Sequence, residues 1–433
     1  MTESFLHYLW KNRLFRFLEA KTTDGEPVSI IFPGYHNTDA GPDFKHAIIQ
    51  IGVIKWAGDV EIHLRSSDWF RHKHQFDEKY KSVTLHVVYE HDCEVERQPG
   101  EYFPTLELKN LIPEEMFARY EQLVTSSNTM GCFGMIDQLD SLHARSVMSA
   151  MAVERLLHKQ QRVAETVQKC SGDWNEAFYR HLALGFGFKT NAPAFELLSL
   201  SLPYKIISRH IDSSLQVSAL VFGQAGLLNE QPVDGYHDQL KYEYDYLRYK
   251  YQLVPIESHH WNLLRLRPPN FPCVRLAQFV ALLCKIPKMM QEVLDHPNVE
   301  YIQHLFVVEA DDYWRSHYHF GKENLLPHGV LLGKSSVSLL LINTVVPFLF
   351  AFYKFKGEDH NLERVLQMLE ELPFEDNKLT RCFSESPFPK ESALESQALI
   401  ELIQNYCKKQ RCLECAIGES ILRKSENENG CLE

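Results

Sequence analysis

The sequence lacks several short motifs that identify large enzyme classes. It has no glycine-rich phosphate loop, no Gly-x-Ser-x-Gly nucleophile elbow and no dinucleotide-binding fingerprint. A chain without these motifs is not expected to belong to the P-loop, α/β-hydrolase or Rossmann enzymes, because the chemistry of those classes depends on them.

Long apolar runs and a leader segment are also missing. No run approaches the roughly 18 apolar residues that cross a bilayer, since the most apolar stretch, 337–352, is interrupted by Asn343 and Pro347. We expect that stretch to be a buried helix. The N-terminus has neither the basic region nor the long apolar core of a signal peptide. The sequence therefore predicts a cytoplasmic protein without membrane contact.

Paired cysteines and excess positive charge are absent as well. The ten cysteines are scattered and lie mostly in apolar contexts, which predicts reduced thiols and no disulfide framework. The formal net charge of −12 argues against binding nucleic acid through bulk charge, although it leaves room for a local basic groove. With 433 residues, 45% hydrophobic and 24% charged, the composition is that of a globular protein of two or three domains.

The first 112 residues mix helical and extended patterns. An i, i+4 apolar pattern predicts a helix over 3–15, and an Asp-Gly turn between apolar runs predicts a hairpin of 17–20 with 28–32. We further expect strands at 47–51, 53–56, 59–64 and 83–89, turns at Gly52 and Ala57-Gly58, a helix at 68–80 and an edge strand at 102–108. Residues 1–112 are therefore predicted to form an α/β domain within an α+β protein.

From residue 113 onward helical periodicity dominates. We predict a large, mostly α-helical domain over 113–424, followed by a disordered polar tail over 425–433. Helices are expected at 113–125, 140–170, 174–186, 193–201, 214–228, 236–253, 274–283, 286–294, 298–307, 334–355, 360–371 and 391–408.

Carboxylate and imidazole side chains concentrate in one segment of the N-terminal domain. Asp43 follows a loop of turn-forming residues that includes Asn37. In the strand 59–64, strict alternation places Glu61 and His63 on one face. Two carboxylates can hold Mg²⁺ or Mn²⁺, and an imidazole is a competent general base near neutral pH. The predicted catalytic residues are therefore Asp43, Glu61 and His63, the first two as metal ligands.

Further polar side chains follow closely along the chain. The candidates for contacts around the metal ligands are Asp68, His72, His74 and Asp77. On a helix His72 and His74 would diverge by about 200° and could not share one metal, whereas in an extended segment both would lie on one face. A second interpretation has these two histidines join Glu61 and His63 in binding Zn²⁺ or Fe²⁺ through mixed nitrogen and oxygen ligands. We rank it below the magnesium site. For Asp68 the plain alternative is a helix N-cap.

The pair Pro42-Asp43, seventeen further residues and then Glu61-x-His63 resembles the PD-(D/E)XK nuclease signature, with histidine in place of the usual lysine. The resemblance covers roughly residues 1–95 and includes the order of helix, strands and helix. It implies a restriction-endonuclease-like domain in which Asp43 and Glu61 bind Mg²⁺ and His63 helps to position or activate the attacking water. A glutamate of the first helix often joins such a site, and Glu3 is the candidate here.

The chain also resembles, over nearly its full length, an uncharacterised bacterial family of unknown function. The shared pattern is Asn-x-x-x-Gly-Pro-Asp-Phe, then Val-Glu-Ile-His, then Ser-Ser-Asp-Trp with two histidines and an aspartate. It is present here at Asn37, 41–44, 60–63, 66–69, His72, His74 and Asp77. This resemblance implies no particular activity.

Two groups of basic residues stand out in the helical region. A proline-rich loop around 265–275 carries Arg265, Arg267 and Arg275. These arginines are expected to project either toward phosphate groups or toward nearby acidic groups. Earlier in the chain, Arg155, Lys159 and Arg162 fall at i, i+4 and i+7 and form one basic helix face, for which solvation is the commoner explanation.

Cysteines cluster near the C-terminus as Cys407-x4-Cys412-x2-Cys415. Thiolates at this spacing can hold Zn²⁺ or an iron–sulfur cluster. A closed site needs a fourth ligand, for which Cys431, Cys382 or a distant histidine is a candidate. The alternative is a set of unligated cysteines that follow a helix.

These residues are compatible with three functions. The first is a divalent-metal-dependent nuclease or phosphodiesterase, whose N-terminal domain carries the chemistry and whose helical domain positions DNA or RNA. The second is a non-catalytic protein that binds nucleic acid or a protein partner on a nuclease-like scaffold. The third is a hydrolase of a small phosphorylated substrate. The acidic net charge favours the second and third over a processive DNA enzyme.

Overall fold

Strands occur in the N-terminal part of the chain and helices dominate the rest, which confirms the α+β class expected from the sequence. The computed structural model describes residues 1–126, 130–136, 140–263, 270–324, 329–386 and 388–423. Within these residues the chain forms two compact units. The first draws on Met1–Val147, Glu385–Pro387 and Leu402–Glu433, and the second on Met148–Ser384 and Phe388–Glu401. The domain boundary expected at residue 113 stays a prediction.

The first unit contains a six-stranded mixed sheet. The strands are β1 (Val28–Phe32), β2 (Tyr35–His36), β3 (Phe44–Ile51), β4 (Ile54–Arg65), β5 (Val83–Glu90) and β8 (Thr105–Glu107). The order is β1-β3-β4-β5-β8, with β2 paired to β3. The pairs β1–β3 and β3–β4 are antiparallel, whereas β4–β5 and β5–β8 are parallel. The strands β6 (Glu96–Gln98) and β7 (Glu101–Tyr102) form a separate pair.

Strand β4 is covered on both faces. Its residues 59–63 are all buried, so the polar face of the alternating pattern faces the protein interior and not solvent. Helix α1 (Glu3–Asn12) packs on this strand and buries its apolar residues completely, Trp10 among them. The helix begins at the cap Thr2, whose hydroxyl accepts the Phe5 amide, and ends where Arg13 adopts a left-handed conformation. A short helix α2 (Asp68–Arg71) lies in the crossover from β4 to β5.

The turn expected at Ala57-Gly58 is wrong, because both residues lie inside β4. Gly58 marks a close approach of neighbouring chain segments. A Cβ atom there would lie 2.2 Å from Thr84 Cγ2 and 2.7 Å from the Ser82 carbonyl oxygen. Glycine is therefore needed at this position of the strand because neighbouring backbone and side-chain atoms leave no room for a Cβ atom.

Two other local predictions for the first unit are wrong. Residues Phe17–Glu19 form a 3₁₀ turn and not the first arm of a hairpin, and Leu18 is almost fully exposed. The helix expected over 68–80 breaks after Arg71, because Lys73 takes a left-handed conformation with φ 63°. Two 3₁₀ turns, His74–Phe76 and Glu78–Ser82, then lead into β5. The edge strand expected near residues 102–108 is confirmed as β8.

The helices expected from periodicity are present with small shifts of their ends. They are α3 (Glu114–Thr125), α4 (Ser141–Lys169), α5 (Trp174–Phe186), α6 (Ala192–Ser201), α8 (Ser214–Gln224), α9 (Gly235–Tyr251), α10 (Pro272–Lys285), α11 (Met289–Asp295), α12 (Val299–Phe306), α15 (His360–Glu371) and α16 (Ala393–Glu401). The sequence analysis missed α7 (Tyr204–Ile207), α17 (Ala416–Arg423) and the short strands β9 (His317–His319) and β10 (Lys322–Glu323).

The most apolar stretch forms one continuous helical segment, Lys334–Lys356. It consists of α13 (Lys334–Leu340), a π-helical turn over Leu341–Val345 and α14 (Val346–Lys356). Its length and composition alone would allow it to cross a membrane, but 72% of its most apolar window is buried within the protein. The core helix of a folded unit passes the same test, so the finding agrees with the expected buried helix.

Candidate metal centre

Asp43 and Glu61 hold each other in place across the antiparallel pair of β3 and β4. The Asp43 amide donates a hydrogen bond to Glu61 Oε2 at 3.1 Å. In return Asp43 Oδ2 accepts a hydrogen bond from the Ile62 amide at 2.9 Å. The two carboxylates predicted as metal ligands are therefore brought together, each fixed by the backbone beside the other.

The loop before β3 is shaped to present Asp43. The Asn37 side-chain amide donates to the Pro42 and Asp39 carbonyl oxygens, both at 3.0 Å, and the Asn37 backbone amide donates to the Asp43 carbonyl at 2.7 Å. Gly41 has φ 117°, a conformation that favours glycine. Asn37 thus positions the carboxylate through the loop backbone.

Two histidines contact the Glu61 carboxylate, and a third contacts one of those two histidines. His63 Nε2 and His74 Nε2 lie 3.4 and 3.2 Å from Glu61 Oε1, and His72 Nδ1 lies 3.2 Å from His63 Nε2. One nitrogen from each of the three rings falls within 4.8 Å of the other two. Adjacent ligands of a cation bound at about 2.1 Å are separated by about 3.0–3.4 Å, so these contacts suit metal ligation.

The break after α2 explains how both His72 and His74 reach the same place. On a continuous helix their side chains would diverge, but the left-handed Lys73 between them reverses the local direction of the chain. Neither of the two geometries considered from the sequence, helix or extended strand, describes this segment.

Aromatic and imidazole groups enclose the inner side of the cluster. His63 Nδ1 lies 2.9 Å from His86 Nε2, and both side chains are almost fully buried. The His74 ring stacks on Tyr80 at a centroid distance of 3.8 Å, and Trp69 lies edge-on at 5.4 Å. This enclosure fixes the orientation of the imidazole rings, as the surroundings of metal sites commonly do.

Burial sets the protonation of the cluster. It raises the pKa of Glu61 to about 9, with the negative charge of Asp43 as the next cause. Burial, followed by the neighbouring His86, lowers the pKa of His63 to about 2, and burial also lowers the pKa of His74. Neutral imidazoles have free nitrogen lone pairs, and they are the form of histidine that binds metal.

The first helix adds a residue that the sequence analysis missed. His7 Nε2 lies 3.2 Å from Asp43 Oδ2, on the side of Asp43 that faces α1. Glu3, one turn earlier on the same helix, is close enough for its charge to raise the pKa of Glu61. The i, i+4 spacing of Glu3 and His7 was the only sequence feature that could have indicated this contact.

Two of the predicted surrounding residues have structural partners. Asp68 accepts a hydrogen bond from the Arg65 amide at 3.1 Å and pairs with Arg71 at 3.0 Å. Asp77 accepts from the Lys79 amide at 3.0 Å and caps the following 3₁₀ turn. Their contacts hold the chain on either side of the histidines.

The sequence was compared with known families, curated proteins and solved structures. A family described as "Protein of unknown function (DUF2851)" matches residues 3–378. The chain belongs to this family. The match confirms the resemblance to an uncharacterised family that the sequence pattern indicated. No curated protein and no solved structure matches the chain. Any activity for this DUF2851 chain must therefore be argued from its own residues.

Arg275, one of the three loop arginines of this DUF2851 chain, is buried. Its guanidinium donates to Gln278, Asn270 and Ser336, and it stacks over the Phe188 ring at 4.3 Å. Because these internal contacts occupy the guanidinium, we do not assign Arg275 to phosphate binding. Arg265 and Arg267 lie outside the described residues.

The three clustered cysteines lie in the first unit, on the segment that ends in α17. Cys407 and Cys412 each begin a 3₁₀ turn, and Cys415 directly precedes α17. Of the suggested fourth ligands, Cys431 lies outside the described residues, and the exposed Cys382 contacts the Lys378 carbonyl oxygen at 3.6 Å. The sequence analysis overlooked Cys132, which follows Gly131 beside α3 and whose pKa is raised by burial and then by the three clustered thiols.

Proposed function

We propose that the chain is a divalent-metal-dependent phosphodiesterase of the nuclease type, with Asp43 and Glu61 as carboxylate ligands. The observation that carries the proposal is the reciprocal backbone bonding of Asp43 and Glu61, with His63 Nε2 only 3.4 Å from Glu61 Oε1. A buried site that fixes two carboxylates beside neutral imidazoles supplies ligands for a cation while contributing little positive charge of its own.

The order of elements around the site supports the nuclease resemblance. Helix α1 precedes three antiparallel strands, β1, β3 and β4, and α2 then leads to the parallel strand β5. This is the order of helix, strands and helix that the PD-(D/E)XK resemblance implies. Of the two proposed ligands, Glu61 lies in β4 and Asp43 directly precedes β3.

The donor set favours a transition metal over Mg²⁺. Oxygen-only sites suit Mg²⁺, whereas imidazole nitrogens suit Mn²⁺, Fe²⁺ and Zn²⁺. Here His63 and His74 each place Nε2 within 3.4 Å of one Glu61 oxygen, and His72 Nδ1 lies 3.2 Å from His63 Nε2. The residues present therefore fit a mixed nitrogen and oxygen site, and we rank Mn²⁺, Fe²⁺ or Zn²⁺ above the magnesium expected from the resemblance.

Each residue has a distinct role in this proposal. A bound cation would lower the pKa of a water ligand and offset negative charge on a phosphoryl oxygen. Asp43 and Glu61 hold the cation, and His63 occupies the place of the nuclease lysine. His7, at 3.2 Å from Asp43 Oδ2, orients that carboxylate.

The replacement of lysine by a buried neutral histidine favours a second candidate function. Lysine would offer a permanent positive charge to the transition state, and His63, with its pKa lowered to about 2, does not. A protein that binds nucleic acid or a partner on this scaffold without cleaving it would retain the metal site and lack turnover. A third candidate, hydrolysis of a small phosphorylated substrate, uses the same residues.

Cleavage assays separate these candidates. Wild type, Asp43→Ala and the control Asp39→Ala, an exposed residue of the same loop, are incubated with labelled single- and double-stranded DNA and RNA and with Mn²⁺ or Mg²⁺. We expect metal-dependent cleavage by wild type and Asp39→Ala and a loss of at least about 100-fold in Asp43→Ala. Cleavage by Asp43→Ala at the wild-type rate would refute the site, and the absence of cleavage by wild type would favour the non-catalytic function.

A further inference from the structure

Four cysteines converge in the first unit although they come from distant parts of the sequence. Cys132 lies in the segment 130–136, and Cys407, Cys412 and Cys415 lie in the C-terminal segment. Cys132 follows Gly131, which packs on Leu123 of α3, and α3 in turn packs on α17, where Arg119 donates to the Ile421 carbonyl at 3.1 Å. Helix α17 follows directly after Cys415, so the two cysteine-bearing segments lie on the same pair of helices. Cys412 and Cys415 are also adjacent, joined by a hydrogen bond from the Cys415 amide to the Cys412 carbonyl at 3.3 Å.

The backbone around these cysteines is folded tightly. A Cβ at Gly418 would lie 2.1 Å from the Cys412 carbonyl oxygen, so α17 packs directly on the turn that carries Cys412. A Cβ at Gly131 would lie 1.9 Å from the Leu123 carbonyl oxygen, which fixes the residue before Cys132 against α3. Glycine at both places allows the two cysteine-bearing segments to approach their neighbours closely.

The thiols occupy surroundings suited to thiolates bound to a cation. Cys415 lies at the N-terminus of α17, whose backbone amides favour negative charge, and its carbonyl accepts the Glu419 amide at 2.8 Å. Lys408, Lys409 and Arg411 flank the cysteines in sequence. Burial and the neighbouring thiols raise the pKa of Cys132 and of Cys412, so both thiols are protonated when no cation is bound.

We propose that Cys132, Cys407, Cys412 and Cys415 form a tetrathiolate metal centre that holds Zn²⁺ or an iron–sulfur cluster. Four cysteines are the ligand set of closed zinc sites and of [4Fe–4S] clusters alike. Binding exchanges the thiol protons for the cation, and the bound centre joins the C-terminal segment to the segment after α3. Cys132 replaces Cys431 and Cys382 as the fourth ligand suggested by the sequence.

Metal analysis of the full-length protein, purified without chelators and without oxygen, tests this centre. We expect about one zinc per chain, or about four irons with matching sulfide and a visible charge-transfer absorption. Either result supports the proposal and identifies the metal. Protein that contains neither zinc nor iron, and takes up neither after reconstitution, overturns it.

Variants then test the fourth ligand. Cys132→Ser is expected to retain less than about a tenth of the metal, whereas Cys431→Ser and the control Cys93→Ser retain all of it. Metal loss in Cys431→Ser with retention in Cys132→Ser would refute the assignment of Cys132. If Cys132→Ser fails to fold, titration of wild type with an organomercurial still decides the matter. About four modified thiols are expected per released zinc or per released four-iron cluster, and metal release without thiol modification contradicts the proposal.

A separate observation in the second unit carries an independent inference. A cavity of about 570 Å³ is lined by the side chains of Arg155, Lys159, Arg162, His181 and Lys189, with Glu375 as its carboxylate. The basic face of α4 is therefore the wall of a cavity and not a plain solvated face. The chain as a whole has a net charge of −12, so the basic residues of this cavity are a local concentration of positive charge in an acidic protein.

The inner cations of the cavity are held by amide groups. Lys159 Nζ donates to Asn343 Oδ1 at 3.0 Å and to Gln397 Oε1 at 2.9 Å, and Arg155 Nε donates to the same Gln397 oxygen at 2.8 Å. Arg155 also lies 3.6 Å from Glu401. Four arginine and lysine side chains line the cavity with one carboxylate, Glu375, and Arg155 is also paired with Glu401 behind the wall. Burial lowers the pKa of Lys159 to about 7, and the cavity still keeps an excess of positive charge through the arginines and Lys189.

Two further features indicate a binding site. The His181 Nε2 atom is buried and has no hydrogen-bond partner among the described residues. The π-helical turn at Leu341–Val345 places Asn343 and Thr344 in the wall, and such turns are frequent at functional sites. Opposite it, Gly185 approaches so closely that a Cβ would lie 2.4 Å from Thr344 Oγ1.

We propose that this cavity binds a phosphorylated small molecule. Its phosphate would contact Arg162 and Lys189, which are exposed at the rim and form no ion pair with a carboxylate among the described residues. Its organic part would lie on the apolar wall, which includes Leu184 and Phe188. The volume falls within the range of about 300–1,000 Å³ that is typical of small-molecule sites.

Calorimetry without divalent cations tests this inference apart from the metal centre. The probes are adenosine monophosphate, inorganic pyrophosphate and adenosine. We expect both phosphate compounds to bind, adenosine to bind at least about tenfold more weakly than the monophosphate, and Arg162→Gln or Lys189→Gln to weaken binding about tenfold. Lys169→Gln, an exposed lysine of the same helix outside the cavity, should bind as wild type does. Equal binding of adenosine and its monophosphate, unchanged binding by both rim variants, or no binding of any probe overturns the proposal.

Discussion

The Asp43 amide donates to Glu61 Oε2 while Asp43 Oδ2 accepts the amide of Ile62, the residue after Glu61. Each carboxylate is thus fixed by the backbone next to the other. An acid held in this way loses little conformational freedom when it binds a cation, which is how preorganised sites gain affinity. Burial, and then the negative charge of Asp43, raise the pKa of Glu61 to about 9, although the hydrogen bond from the Asp43 amide lowers it.

The imidazole ligands predict a metal preference that a magnesium nuclease would not show. Because His63 and His74 both approach Glu61 Oε1, Mn²⁺ should bind at least about tenfold more tightly than Mg²⁺. Removal of one ligand by His74→Gln should weaken Mn²⁺ binding by about 10- to 100-fold. Calorimetric titration of both metals measures this, with the exposed His259→Gln as control. Equal affinity for the two metals, or unchanged Mn²⁺ binding in His74→Gln, would contradict the mixed site.

The close approach at Gly58 predicts a cost for any side chain there. Gly58→Ala places a methyl group 2.2 Å from Thr84 Cγ2, so the strands must separate, and we expect a loss of about 1–3 kcal/mol in the free energy of unfolding. Urea denaturation measures it. Gly235→Ala is the control, because nothing lies within 4 Å of the added atom. Equal stability of the two variants would show that the β4 packing is looser than described.

The cap of α5 predicts a smaller and local effect. Asp173 Oδ1 accepts hydrogen bonds from the Asn175 and Glu176 amides at 2.9 and 3.1 Å. Asp173→Ala leaves both donors without this acceptor and should lower the free energy of unfolding by about 1 kcal/mol. The exposed Asp212→Ala serves as the control in the same denaturation experiment. A change in Asp173→Ala no larger than in the control would argue against the cap.

His181 predicts a dependence of stability on pH. Burial, and then the positive charge of Arg162, lower the pKa of His181 to about 4 from its usual 6.5. The unfolded chain therefore binds the proton first, and the contribution of this group is fully present above pH 6.5 and is lost as the pH falls from 6.5 toward 4. In His181→Gln the loss of stability between pH 7 and pH 5 should be smaller than in wild type. Unfolding curves at both values test this, and an unchanged loss would contradict the burial of His181.

Sequence patterns were sufficient where the information is local. Periodicity located the helices from α3 to α16 except the single turn α7, because each of them buries apolar residues that recur every three to four positions. Alternation in 59–64 placed Glu61 and His63 on one face of β4, as observed. The turn predicted at Ala57-Gly58 was wrong, because a single sequence does not distinguish a glycine in a turn from a glycine at a close contact within a strand.

Contacts between distant segments could not be predicted in this way. His7 contacts Asp43 only because α1 packs on β4, and the segment of Cys132 approaches α17 only because α3 packs on that helix. The approach of His72 to His74 depends on a left-handed Lys73, a conformation that lysine seldom takes and that no local pattern indicated. The cavity beside α4 depends on a contact of the same kind, since Lys159 donates to Asn343, which is distant in sequence.

The central claim is that Asp43 and Glu61 bind one cation together. Its most direct test is calorimetric titration of Mn²⁺ into wild type, Asp43→Asn, Glu61→Gln and the exposed control Asp39→Asn. We predict that wild type and the control each bind one Mn²⁺ through both carboxylates. Each of the other two variants should lose at least about 100-fold in Mn²⁺ affinity. Wild-type Mn²⁺ affinity in either Asp43→Asn or Glu61→Gln would contradict the account.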